Sequence, residues 1–339
     1  MNGIPSPLIG EGWGGGDLGD YFSASGGQGR FDVPGVEGRD EGIERSGPEG
    51  GGSVGLLLQT IINGIMLGSV YAMVALGLTL IFGILEIPNF AHGALYMIGA
   101  FIAFFCITSL GVSYWIALLI SVGALFITGM VIERFIYRPF YKQPHMSSFI
   151  VAVGLIFIME NGALVLWGAD FRRISPPSSA IFNVLGTTVT SQRLIVISVA
   201  ALLIIAIHLF IKKTRLGAAI EATSQNREGA QLMGINTSLV GQATFGLGTA
   251  LAAVAAVLVA PILLISATMG EAVIAMAFVI IILGGMGSFI GAVLGGYIIG
   301  LLETLVSTYV TSYYTEALIF GVLVMVLAVK PTGLFGREH

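Results

Sequence analysis

From residue 56 onward the chain alternates long apolar blocks with short polar interruptions. The blocks cover 56–85, 93–109, 114–132, 147–169, 194–211, 239–264, 272–302 and 317–329. A helix needs about 20 apolar residues to cross a bilayer. Several blocks reach that length, and the shorter ones read as tilted, broken or extended at their ends. The pattern predicts an all-α, polytopic transmembrane helical bundle. Its eight hydrophobic segments would make roughly 8–10 crossings, some by broken or re-entrant helices.

Composition agrees with the pattern. The chain is 55% hydrophobic and 10% charged, with mean hydropathy +0.93. Soluble domains carry about 25% charged residues, so this chain lacks the polar surface to cover a particle in water. The first 55 residues differ. They hold 18 of the 48 glycines, nine acids against three bases (Arg30, Arg39, Arg45), and no helical or strand period. The acidic balance of the whole chain therefore belongs to this segment, while the remainder is slightly basic. The segment, 1–55, reads as a disordered glycine-rich acidic tail. It lacks the basic n-region and short apolar core of a signal peptide. A start assigned too far upstream, with initiation near Val54, is an equal origin for it. The membrane domain is then 56–336. Cys106 is the only cysteine, so an intrachain disulfide is excluded.

Bases gather at Arg134, Arg138 and Lys142, at Lys212, Lys213, Arg215 and Arg227, and at Lys330 and Arg337. The positive-inside rule puts these on the cytoplasmic side and leaves Arg172, Arg173 and Arg193 outside. Two spans separate the first two clusters, as two cytoplasmic loops require. Three apolar blocks separate the second cluster from the C-terminus, which is the wrong parity. The block 272–302 contains "GGMGSFIGAVLGG", and a turn in that glycine-rich centre restores it.

Polar residues interrupt the blocks at two places. In "EIPNFAHG", Pro88 disfavours helix at Ile87 and donates no backbone hydrogen bond. Asn89 then reads as the cap of the next helix. Interrupted helices in two halves of a membrane protein point to a transport pathway, and an ordinary short loop is the even alternative. His92 reads as a satisfied polar contact before it reads as a ligand or proton carrier. In "IFIMENGALVLW", Glu160 and Asn161 interrupt a span, and an acid there is a functional candidate. The opposing reading is a hydrogen-bonded Glu facing the bundle interior. Glycines at 64 and 68, at 287, 291 and 295, and at 296 and 300 recur every four residues, a close-packing signal.

Enzymatic motifs are missing. None of the four lysines follows glycine, as a P-loop requires, and there is no His-Glu-x-x-His or Gly-x-Ser-x-Gly. No metal ligands are expected.

The blocks "NGIMLGSVYAMVALGLTLIFGILEIPNFAHGALYMIGA", "YRPF", "LMGINTSLVGQATFGLGTALAAVAAVL", "GGMGSFIGAVLGGYIIGLLE" and "KPTGLFG" resemble the permease of branched-chain amino-acid ABC importers. The resemblance runs from about Leu56 to Gly336 in the family's order; urea and short-amide permeases are close relatives. It implies a second homologous permease subunit, two cytoplasmic ATPase subunits, a periplasmic substrate-binding protein and a bacterial inner-membrane location. ATP would be used by the partner subunits, with no cofactor bound by this chain. The resemblance also implies a cytoplasmic helix that docks into an ATPase groove. Here that is the coupling segment within 212–238, with Arg215, Gly217, Glu221, Ala222, Ala230, Leu232, Gly234, Ile235 and Asn236. Ala222, Ala230, Leu232 and Ile235 are expected to form its apolar face. Family members often carry Arg where Glu221 stands and Asp near Asn226, so that salt bridge is not carried over. They often carry Gln where Glu160 stands, which leaves the solute open. The translocation-path candidates are Asn89, His92, Gly93, Glu160, Asn161, Gly284, Gly285 and Gly287. From a different class, an ion-coupled secondary carrier would use Glu160, Glu86 or His92.

Overall fold

The computed structural model describes residues 52–85, 89–141, 143–184 and 187–336. The disorder expected of the tail up to residue 51, and the break expected at Glu86 to Pro88, lie outside the described residues.

Apolar helices dominate. They are α1 (Gly52–Leu85), α2 (His92–Thr108), α3 (Tyr114–Ile132), α4 (His145–Trp167), α5 (Ser191–Lys213), α8 (Thr237–Val259), α9 (Met269–Gly284), α10 (Phe289–Tyr309) and α11 (Thr315–Val329). Two short helices, α6 (Arg215–Gln225) and α7 (Arg227–Leu232), lie between α5 and α8. Six of these helices are long and apolar enough to cross a membrane; α2, α9 and α11 are shorter apolar helices. The chain is a multi-pass, all-α membrane protein. One small hairpin, β1 (Ile181–Val184) against β2 (Thr187–Thr190), is antiparallel and was not legible in the apolar pattern.

Contacts fix two ends of the bundle. At the hairpin end, the Thr187 hydroxyl donates to the Gly55 carbonyl, and Arg172 bridges to Ile265. This groups the start of α1 with the ends of α4 and α8. At the other end lie Arg134, Arg138, Lys212, Lys213, Arg215, Arg227 and Lys330, so it is called the basic end. There the Leu334 and Phe335 amides donate to the Leu283 and Gly284 carbonyls, at 2.7 and 3.1 Å.

The parity question is answered at Gly285 and Gly287. Both have positive φ, +95° and +79°, and they turn the chain between α9 and α10. A Cβ at Gly285 would strike the Gly336 backbone, so glycine is needed here for conformation and for close approach. The block 272–302 is thus two passes.

The α1 and α8 helices are the buried centre, and α4 and α5 turn most of their apolar surface outward. The spaced glycines act in packing. Gly64 meets Leu301 and Thr304, Gly68 meets Tyr297 of α10, and Gly296 meets Ala72. Without side chains at these points, backbones come close enough for dispersion contacts that lipid cannot match.

The packing also repeats. The α1 helix lies against α10 as α8 lies against α3, and α2 lies against α8 as α9 lies against α1. The reciprocity reaches single residues. A Cβ at Gly77 would lie 2.5 Å from the Gly248 carbonyl oxygen, and one at Gly248 would lie 2.6 Å from that of Gly77. Gly93 and Gly270 block each other in the same way. Since α1 and α8 run in opposite directions, α1–α3 and α8–α10 form an inverted repeat. Its faint signature is "AMVALGLTL" at 72–80 beside "ATFGLGTAL" at 243–251, which share Ala, Leu, Gly and Leu in register.

Candidate functional site

The first turn of α2 is the centre of the site. His92 is fully buried beside Gly77, about halfway along the bundle, and its ring faces the Val74 backbone of α1 without a hydrogen bond of good geometry. Gly93 lies against Gly270 in the first turn of α9. Both α2 and α9 therefore begin inside the bundle, with their helix N-termini beside each other. Free N–H groups at such ends carry partial positive charge.

Buried polar atoms without a protein partner extend both ways from His92. Toward the hairpin end come the Tyr96 hydroxyl and then Glu303 Oε2, with the Tyr71 phenol close to both Tyr96 and Glu303. Toward the basic end come Thr79 Oγ1, Asn89 Nδ2 and Glu133 Oε2. An unsatisfied buried polar group costs roughly 1–3 kcal/mol, so apolar packing alone would not retain a row of them. The arrangement can pass a small polar solute between groups that hydrogen-bond it in turn. Among the described residues no cluster of His, Cys, Asp or Glu has the grouping needed to hold a metal ion.

Several expected residues stand elsewhere than the sequence placed them. Asn89 does not cap α2. Its Oδ1 accepts the Tyr137 hydroxyl at 2.7 Å, while its own carbonyl accepts the His92 amide at 3.2 Å. His92 is at most weakly satisfied, through the Val74 backbone. Gly284, Gly285 and Gly287 are not beside His92 but at the basic end, where the α9–α10 turn closes on the C-terminal "TGLFG". Asn161 is exposed on α4, bonded back to the Phe157 carbonyl at 2.8 Å. Glu160 is half-buried and close enough to Glu271, in the first turn of α9, to feel its charge.

The coupling segment is two helices rather than one. Thr214 caps α6 through the Gly217 amide at 3.0 Å, and Asn226 stops α6 in extended backbone and caps α7 through Gly229 at 2.7 Å. Asn236 caps α8 through Leu239 at 3.1 Å. Gly217 is buried where α6 folds back on Phe210 and Ile211, and a Cβ there would strike both. Arg215 and Glu221 are exposed. The expected apolar face does not exist as one surface. Ala230 is buried, and Ala222 and Ile235 are half-buried against the protein's own body. Leu232 stands 89% exposed, with Met233 at 83% beside it. A positive φ of +82° at Gly234 turns the chain after them into open space.

With this geometry in place, the sequence comparisons are decisive. The family model described as "Branched-chain amino acid transport system / permease component" matches residues 60–327. The chain belongs to this permease family. LivH of Escherichia coli K12, a high-affinity branched-chain amino acid transport system permease protein, is 36% identical over 300 residues. That match covers 83% of this chain and 96% of LivH. BraD of Pseudomonas aeruginosa, described in the same terms, is 34% identical over 296 residues, with the same shares covered. A probable LivH of Methanocaldococcus jannaschii is 27% identical over 290 residues, covering 81% of this chain and 91% of the relative. No solved structure matches the chain.

Sequence reasoning missed five residues of this permease's interior. Tyr71 and Tyr96 are hidden because Tyr is at home in apolar helices. Glu303 is the sole acid of α10 and stands one residue past an apolar block, a signal that was available. Gly77 and Gly248 needed the internal repeat to be seen.

Proposed function

We propose that the protein is the membrane-spanning permease of a bacterial inner-membrane ABC importer for branched-chain or other small amino acids. A periplasmic binding protein delivers the solute at the hairpin end. A second homologous permease completes the pore, and two ATPase subunits dock at the basic end, where α6 and α7 project. The observation that carries this reading is the meeting of the α2 and α9 N-termini inside the bundle. They flank a row of unpartnered polar groups, and a zwitterion's carboxylate is suited to helix N-termini. Glu303, beside Tyr71 and Tyr96, is suited to its ammonium group.

The test is reconstitution of the complex in proteoliposomes with binding protein on one side and ATP on the other. ATP-dependent uptake of leucine is expected. Uptake driven by an ion gradient without the ATPases would overturn the reading in favour of a secondary carrier. Uptake of urea or acetamide but not leucine would overturn the solute class.

The same complex tests the path. In a Cys106→Ala background, cysteine at Asn89 or His92 should react slowly with a small hydrophilic thiol reagent in the resting state, since both positions are buried. Trapping ATP should change the rate, because alternating access moves one repeat against the other. Equal labelling in both states would remove these residues from the path.

A further inference from the structure

At the basic end, α3 continues into a wider π-helical turn, Glu133–Tyr137, and then a short 3-10 turn, Arg138–Phe140. A π-turn is rare, and this one ends α3 instead of interrupting it. This one carries Glu133, Tyr137 and, just beyond it, Tyr141, spaced four apart. Glu133 is fully buried. Its Oε1 accepts the Tyr141 hydroxyl at 2.5 Å, and its Oε2 has no partner. Gly241 of α8 leaves room for that carboxylate, since a Cβ there would sit 3.1 Å from Oε1. The Arg227 guanidinium of α7 lies over the Tyr141 ring, 4.5 Å from its centroid. Burial first, then the bond to Glu133, hold the Tyr141 phenol above its ordinary range, so it stays protonated and donates. One turn deeper, Tyr137 packs against Phe245 of α8 and donates to Asn89, three residues before His92.

Side-chain contacts thus join α7 to Tyr141 and Glu133, and Tyr137 to the turn that opens α2, and the short stretch of backbone from 133 to 141 joins the two. We propose that Glu133, Tyr137, Tyr141 and Arg227 are positioning residues that couple movement of α6 and α7 to the Asn89–His92 turn. When Arg227 leaves the Tyr141 ring, Tyr141 and Glu133 separate, and Tyr137 releases Asn89. Three features fit a joint that works in two positions better than one fixed in place. Glu133 keeps an oxygen free, Asn89 keeps an unpaired Nδ2, and a cation–π contact is worth only about 0.5–2 kcal/mol. Coupling of this kind requires an element with two arrangements, and the π-turn supplies one that can rewind.

The inference rests on the ATPase-driven reading, so its first test needs no ATPase. The full chain in nanodiscs is compared with Tyr141→Phe and Arg227→Lys by amide hydrogen exchange. Loss of the relay should speed exchange at residues 89–95 by about two- to thirtyfold, the range for residues on a coupling network. A merely local role would loosen 133–141 and leave 89–95 unchanged, which would overturn the proposal. Arg227 is partly exposed, so Arg227→Lys keeps the test available if Tyr141→Phe does not fold. Lysine keeps the charge but loses the planar stack.

The second test uses the assembled complex. Uptake per ATP hydrolysed should fall by a similar factor in each variant, with hydrolysis within about twofold of wild type for Tyr141→Phe, which lies outside the docking helices. The double variant should be no worse than the more impaired single one. Uptake and hydrolysis falling in parallel in Tyr141→Phe, or additive losses, would overturn the relay. Failure of wild type itself to couple ATP to uptake would overturn the importer reading, while the exchange result still stands or falls by itself.

Discussion

Alanine in place of Gly248 should destabilise the protein, and leucine there should abolish folded permease altogether. The Cβ of residue 248 would lie 2.6 Å from the Gly77 carbonyl oxygen and 2.8 Å from the Ile81 side chain. Ile81 has rotamers to yield, but a helix carbonyl does not. Overpacking a core costs about 1–3 kcal/mol even where side chains can shift. Here the obstacle is backbone in the two most buried helices, so the cost belongs at the top of that range for alanine and beyond it for leucine. The reciprocal substitution Gly77→Ala should cost a similar amount, because the two glycines face each other across the repeat. Gly83, Gly154 and Gly162 are the controls, with nothing within 4 Å of their Cβ positions. Alanine at those three should be neutral or stabilising by up to about 1 kcal/mol, the helix-propensity gain over glycine. Thermal melting of detergent-purified variants measures the contrast. Equal melting temperatures for Gly248→Ala and Gly83→Ala would mean that the α1–α8 crossing is looser than described.

Replacing Leu232 and Met233 together by aspartate should release the ATPase subunits while the permease still inserts. Both side chains are almost fully exposed, Leu232 as the last residue of α7 and Met233 just after it, on a segment that begins with Arg227 and Glu228. A side chain that acts as an anchor in a partner's pocket contributes about 2 kcal/mol or more, and one such anchor in the pair is enough for the effect expected here. The pair should therefore weaken docking by at least about thirtyfold. Co-purification of the ATPases with the variant, and ATP hydrolysis by the mixture, give the answer. Gly234 is the weaker probe. Its surroundings are open, so a bulky residue acts mainly by straining a positive φ, and that alters the turn rather than the contact. Normal assembly of the Leu232→Asp, Met233→Asp protein would move the docking surface off α7, toward the exposed Arg215 and Glu221 on α6.

The length and spacing of apolar blocks were enough to determine an all-α membrane bundle, because only a helix satisfies its own backbone hydrogen bonds in lipid. The same blocks carried the family resemblance, and "GGMGSF" carried the turn between α9 and α10, since glycine readily takes the positive φ that the turn needs at Gly285 and Gly287. Asparagine caps were half legible. Asn226 and Asn236 bond their own helices, a local interaction that sequence encodes. Asn89 looks identical in sequence but gives its oxygen to Tyr137, which lies 48 positions away. The apolar face expected of the coupling segment failed for a related reason. Helical spacing determines which residues share a face, but Asn226 divides the segment, and only packing against α5 and α8 decides which half is covered.

His92 was visible as a polar intrusion, yet its poor pairing was not, because pairing depends on what α1 brings to the same depth. Tyr71, Tyr96 and Glu303 came together only in the fold, as did Glu133 and Gly241 on the other side of His92. Each comes from a different helix or helical extension, and hydropathy averages a single polar residue away among its apolar neighbours. Sequence thus determined which segments are membrane helices and where polar residues interrupt them, through local chemistry. It was the fold that set α1 and α8 inside and α4 and α5 outside. The tertiary structure decided which interior groups meet, because those meetings join residues far apart in the chain through an inverted repeat whose register no single segment contains.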